Sequence, residues 1–268
     1  MIGMKLQTTK FGGITVLKEI ARGGEGGVFA TNNQSVLLKV YDPRDTDVDV
    51  PRMREVKRSA YRTFANLRLD NHQELSCLPL EYVALPSGEP AYVMRLAEGK
   101  TLESVKHSGR NSAPLLDRLQ MAYALATALQ GLHSAQIVHA DMKWENYVIT
   151  RIAAGYRVYV LDIDAGGYRG PVVPGRYERL LPTAVPDGIF RSPELIQSAT
   201  WPGLWNTAWA FQPDLWALAV MLYCIIVDAD GPFPLRPTRD LGSGLPAYTP
   251  YQRRDIISTV SWPKDWQA

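Results

Sequence analysis

The stretch His139-Ala140-Asp141-Met142-Lys143-Trp144-Glu145-Asn146 constrains this chain most. It stands between a long helical run, 115–134, and a short apolar run, Tyr147-Val148-Ile149. In the helical run Leu116, Leu119, Tyr123, Ala126 and Leu129 recur at helical spacing and predict a buried face. An Asp, a Lys and an Asn are thereby placed on one short loop at the edge of a core. That set suits phosphoryl transfer: a carboxylate orients or deprotonates a hydroxyl, a cation meets the moving phosphate, and an amide oxygen meets a metal ion. The same residue types also occur together on ordinary polar surface loops, so the rest of the chain decides between the readings.

Three further segments follow the same logic. In Ala21-Arg22-Gly23-Gly24-Glu25-Gly26-Gly27-Val28 the glycines give a backbone that can approach phosphate closely and offer it N–H groups. Val36-Leu37-Leu38-Lys39-Val40-Tyr41 is a strand-like run with one Lys, which must sit at an edge or be buried and paired. Val158-Tyr159-Val160-Leu161-Asp162-Ile163-Asp164 is a β-rich run ending in two carboxylates, as suits a metal site or a polar turn.

Taken in order, these motifs resemble the eukaryotic-type Ser/Thr protein kinase family over roughly residues 14 to 266. The glycine-rich segment is similar to the family's G-x-G-x-x-G-x-V loop, with Ala21 in the first glycine place, then Gly23, Gly26 and Val28, and Gly24 between. Lys39 matches the strand lysine, Asp141, Lys143 and Asn146 the catalytic loop, and Asp162 the metal-binding Asp of D-F-G. Ser192-Pro193-Glu194 resembles A-P-E. Asp214-Leu215-Trp216 resembles the start of the family's large buried helix, and Gly231-Pro232-Phe233 follows it as the family's G-x-P-F does. The glycine-rich text and the Leu-Asp-x-Asp ending look similar to bacterial kinases of the tellurite-resistance and helix-hairpin-helix-linked type.

The resemblance implies an α+β, two-lobed protein-kinase-like fold. A β-rich N-lobe would span 1–96. A mainly helical C-lobe would span 97–268 and lack the family's last helices, so it would be abbreviated or truncated. It implies ATP and Mg²⁺ as cofactors and a Ser/Thr protein substrate. Asp141 is then the base or orienting group, Lys143 and Lys39 contact phosphates, and Asn146 and Asp162 hold metal. Met94, Arg95 and Ala97 border the adenine. Glu55, on a helix read over 51–67, is the expected partner of Lys39, with surface pairing to Arg52 or Arg58 as its rival role. Asp164 stands where the family has glycine and reads first as a turn-former, or else as a spare metal ligand or an anchor for Lys143. A nucleotide-binding pseudokinase scaffold and a small-molecule kinase are the alternatives.

Departures from the family pattern bear on regulation. Ala140 replaces an Arg that in many kinases pairs with a phosphorylated loop, so activity is expected to be insensitive to phosphorylation of Thr183. Asp187 sits where the family faces its peptide. Trp201, Trp205 and Trp209 fall on one helical face and read as local packing or as a docking patch for a partner.

Composition excludes several classes. Lys and Arg number 29 against 27 Asp and Glu, a formal charge of +2, which gives no bulk attraction for nucleic acid. Cys77 and Cys224 are too few for a disulfide framework, which points to a reducing, cytoplasmic setting. The apolar run Leu215 to Val227 is shorter than the roughly 20 residues a membrane span needs.

Overall fold

A computed structural model describes residues 1–43, 50–67, 69, 75, 77–108, 113–171, 180–183, 190–192, 195 and 201–227. Pro193, Glu194, Asp187 and everything from 228 on, including Gly231-Pro232-Phe233, lie outside the described residues.

The N-terminal part is a six-stranded antiparallel sheet: β1 (Lys5–Thr8), β2 (Gly12–Arg22), β3 (Gly26–Thr31), β4 (Val36–Tyr41), β5 (Glu81–Ala84) and β6 (Pro90–Arg95). The strand order is β1-β2-β3-β4-β6-β5. Side chains alternate across a pleated strand, so β4 serves two cores. Val36, Leu38 and Val40 pack with Ile14, Val16, Phe29 and Val93 on one face. Leu37 and Tyr41 face the other core, with Tyr92 and Met94 of β6. Lys39 shares that second face by register. It is covered by helix α1 (Val50–Asn66), whose buried residues Lys57, Ala60, Tyr61 and Phe64 recur at helical spacing.

The remaining elements carry the loop from His139 to Asn146. After β7 (Lys100–Thr101) and α2 (Leu102–Ser108), helix α3 (Leu115–Ser134) leads into β8 (Ile137–Val138). A hairpin of β9 (Tyr147–Ile152) and β10 (Gly155–Val160) follows, with β7 added beside β9. β11 (Gly167–Tyr168) pairs with β8. Then come the short α4 (Pro202–Trp205) and the apolar α5 (Gln212–Val227), which packs on α3. Among the described residues no helix is long and apolar enough to cross a membrane.

Helix α3 presents a different face from the one its periodicity predicted. Met121, Ala122, Ala124, Leu125, Ala128, Leu129 and Leu132 are buried, whereas Leu116 and Tyr123 are 66% and 76% exposed. Its polar residues, among them Asp117, Arg118, Gln120, Thr127 and Gln130, are spread round the helix, so a periodic apolar stripe exists on more than one face. The buried stripe is the one containing alanines, which lets β10 and α5 approach closely. In a denaturant titration, Leu125→Ala is expected to cost ~2–5 kcal/mol. Leu116→Ala should stay within about 0.5 kcal/mol, and equal costs would contradict this placement.

Candidate active site

The loop from His139 to Asn146 is held from below by a single buried carboxylate. Asp214, in the first turn of α5, accepts the N–H of His139 at 2.7 Å and of Ala140 at 3.0 Å, and lies 3.0 Å from His133 Nε2. Ala140 adopts a left-handed conformation, φ +68°, which costs a non-glycine residue on the order of 1–2 kcal/mol. The two charge-assisted bonds to Asp214 offset that strain and turn the chain so that Asp141 follows into the cleft.

His139 takes the structural role. Its Nδ1 accepts the Asp141 N–H at 3.3 Å, so the proton sits on Nε2, which donates to the Leu161 carbonyl at 3.1 Å. Lys143 Nζ meets Asp141 Oδ2 at 2.8 Å. Asn146 Nδ2 donates to the Asp141 carbonyl at 2.7 Å and to its carboxylate at 3.1 Å. The Leu161 N–H bonds to the Asn146 carbonyl at 2.8 Å. Asp141, Lys143, Asn146 and the Asp162 turn are therefore one connected set.

Asp162 has φ +56° and directs its carboxylate to Lys39. Burial pushes that carboxyl up, but the charge and hydrogen bond of Lys39, with the charge of Lys57 adding to them, hold it below the usual carboxylate range. Lys39 shows the mirror effect. Burial lowers its pKa, and the charge of Asp164 with the charge and hydrogen bond of Asp162 raise it well above the ordinary lysine value.

The partner of Lys39 is not Glu55. That residue is 67% exposed and paired with Arg58 one turn along the helix. Its position in α1 points away from the cleft, and the position that faces the cleft carries Lys57 instead. The acid comes from Asp164, which is 2% exposed. It lies 2.7 Å from Lys39 Nζ and accepts Tyr61 Oη–H at 3.0 Å and Tyr92 Oη–H at 3.2 Å. Asp164 is thus an anchor for Lys39, neither for Lys143 nor simply a turn-former. Tyr92 shares the Lys39 face of the sheet by register, and Tyr61 lies one turn beyond Lys57 on α1.

The glycine-rich segment forms the turn between β2 and β3. Gly23 N–H bonds to the Gly26 carbonyl at 2.9 Å. A Cβ at Gly26 would stand 2.0 Å from the Val40 carbonyl, so this position requires glycine, whereas Gly23 and Gly24 face open space. Ala21 and Val28 are register partners across the two strands, and Val28 is also paired to Lys39. Glu25 reaches Lys57 Nζ at 2.6 Å. Along β6, Met94 is buried in the core shared with Tyr92. Leu96 N–H bonds to the Ser35 carbonyl, so strand alternation turns the polar groups of Arg95 away from β4.

Trp201 and Trp205 are buried with Val138, Ala140, Leu195 and Ala210. Both side chains pack locally, the first of the two readings of this segment; the Trp209 side chain lies outside the described residues. Thr183 is exposed, with its N–H on the Ala165 carbonyl. Among the described residues no cluster of three His, Cys, Asp or Glu could hold a metal ion.

No family model matches the chain. A probable serine/threonine-protein kinase of Streptomyces coelicolor is 40% identical to it over 62 residues, which are 23% of this chain and 9% of that protein. The likeness to a kinase is therefore partial, and the chain spans a small fraction of that relative's length.

Because Asp162 is held below its unfolded pKa, its pairing adds stability above about pH 4 and loses it as the pH falls through the lowered value. Asp162→Asn is expected to flatten the acid limb of the unfolding free energy against pH. An unchanged acid limb would show that the pair contributes nothing.

Proposed function

We propose that the chain is a protein kinase that transfers the γ-phosphoryl group of ATP, with Mg²⁺, to Ser or Thr hydroxyls of a protein, on a two-lobed kinase-like fold. The observation that carries the proposal is the connected set just described. Lys39 is tied to Asp162, and the neighbouring Leu161 is tied to both His139 and Asn146 of the loop that presents Asp141 and Lys143. The partial likeness to a probable Ser/Thr kinase supports the same class.

The donor chemistry fits the proposed ligands. Asp162, kept ionised by Lys39, and Asn146 are hard oxygen ligands of the kind Mg²⁺ takes when it shares coordination with phosphates. Bound Mg²⁺ neutralises the charge of the phosphates. One carboxylate and one amide oxygen suit an ion that arrives with nucleotide and shares coordination with its phosphates.

This chain's own residues position the reactants. The backbone from Arg95 to Ala97 offers polar groups to the adenine, and Met94 closes the rear of that pocket. The turn around Gly23, Gly24 and Gly26 covers the phosphates with N–H groups. Lys39 orients the phosphates, and Lys143 meets the γ-phosphate. Asp141 accepts the hydrogen of the incoming hydroxyl and holds it in line. Little covalent work remains for the protein, so positioning and charge neutralisation supply the catalysis.

One observation favours a second reading, a nucleotide-binding scaffold. Lys39 is already satisfied by two carboxylates, and α1 offers no acid to it. The test is transfer of labelled γ-phosphate to the protein itself and to a generic basic protein. Asp141→Ala is expected to reduce transfer by about 10²–10⁴-fold, while Glu55→Gln leaves it unchanged. Nucleotide binding without transfer in the parent would favour the scaffold. A fall with Glu55→Gln would restore that residue to the site.

A further inference from the structure

We propose that Lys57 is a positioning residue that locks the glycine-rich turn to helix α1 and to the Asp162–Asp164 turn, and so sets the height of the turn over the phosphate site. The inference rests on the kinase reading for its functional consequence, though not for the lock itself.

Lys57 has a side chain that is 0% exposed, in a helix whose other basic residues lie near the surface. An ammonium so placed is costly unless it is paired and hydrogen-bonded. Its partners come from the two segments that border the phosphate position. Glu25 Oε2 lies 2.6 Å away at the tip of the glycine-rich turn, and the Asp164 carbonyl accepts a bond at 3.1 Å. The Tyr41 ring supplies a third contact, 5.6 Å from Nζ to its centroid.

The turn itself has little else to fix it. Gly23 and Gly24 have no heavy atom near where a Cβ would stand, so the tip is unpacked on that side. Its backbone is held by Gly23 N–H on the Gly26 carbonyl and by Asp42 N–H on the Glu25 carbonyl. Arg22 braces the base of the turn through Glu19 and Asp42. The Glu25 carboxylate is the side-chain link that reaches from the tip across to α1. A bond from an unpacked tip to a fully buried cation fixes the height of the tip, whereas a bond between two exposed chains would not.

A merely structural pair predicts a loss of stability alone. Either single substitution strands a charge, so the informative variant is Glu25→Gln with Lys57→Met, which removes both charges and leaves an unbranched apolar chain in the buried place. Lys57→Arg retains a cation. Amide hydrogen exchange without nucleotide, melting, and transfer kinetics against Mg²⁺-ATP are measured on all of them.

The expected result is a double variant that melts cooperatively. The amides of Gly23 and Asp42 should exchange faster, and KM for ATP should rise about tenfold or more with a smaller change in kcat. Lys57→Arg should recover most of the loss. Unchanged exchange at both amides overturns the lock whatever the kinetics do. Faster exchange with an unchanged KM overturns the positioning role. A parent that neither binds nor transfers nucleotide overturns the kinase reading, and the exchange result still decides the lock.

Discussion

The buried pair of Lys39 and Asp164 is the interaction on which the cleft depends. Lys39 lies on a strand between apolar neighbours, where a lone ammonium would cost several kcal/mol in lost hydration. Asp164 is as deeply buried and would carry a similar cost alone. Together, with two tyrosine hydroxyls taking the remaining carboxylate lone pairs, they form a satisfied network. Its members come from β4, β6, α1 and the turn after β10. The network forms only when all four are in place, and this couples the sheet to the loop that presents Asp141.

The same network explains why α1 carries a lysine toward the cleft. In the family that the chain resembles, a helix acid holds the strand lysine. Here the acid is supplied by the turn, and the helix answers with a cation. Charges alternate from Glu25 to Lys57, and from Lys39 to Asp162 and Asp164. An acid at position 57 would face the Asp164 carbonyl and the Glu25 carboxylate, an arrangement of acceptors without a donor. Lys57 and Glu25 therefore constrain one another, and a change of sign at one demands a change at the other.

Much of this was legible in the residues. The strands around the glycine-rich turn, helix α1, the hairpin of β9 and β10, and α5 fall within a few residues of where periodicity places them, because each has a clear apolar pattern and a clear break. Asp141, Lys143, Asn146 and Asp162 converge because they sit on short segments at element ends, where spacing leaves the chain little freedom. The partner of Lys39 was not legible, because helical position is set by how α1 rotates on the sheet. Glu55 and Lys57 are two positions apart and so lie on opposite sides of the helix. A rotation fixed by Tyr61 and Phe64 against β6 decides which of them enters the cleft. The face of α3 escaped for a related reason, since its polar residues are spread round the helix and form no single stripe to mark its outside.

The surroundings of Ala140 bear on control of the site. Its methyl group is fully buried against Trp201 and Trp205. An arginine would have to push its guanidinium into that apolar cluster or displace it. Of the cations beside the cluster, Arg169 lies across the rings of Trp205 and Phe211, with its charge centre 5.7 and 5.4 Å from their centroids, and Arg191 reaches the Leu195 carbonyl at 3.4 Å. A phosphate on Thr183 thus gains no partner from position 140. Meanwhile the conformation of the loop is already fixed from beneath by Asp214, whose two bonds to the His139 and Ala140 amides need no second charge. A loop held by a buried carboxylate is set without a second charge, and among the described residues the loosely packed part beside it is the glycine-rich turn that Lys57 holds down.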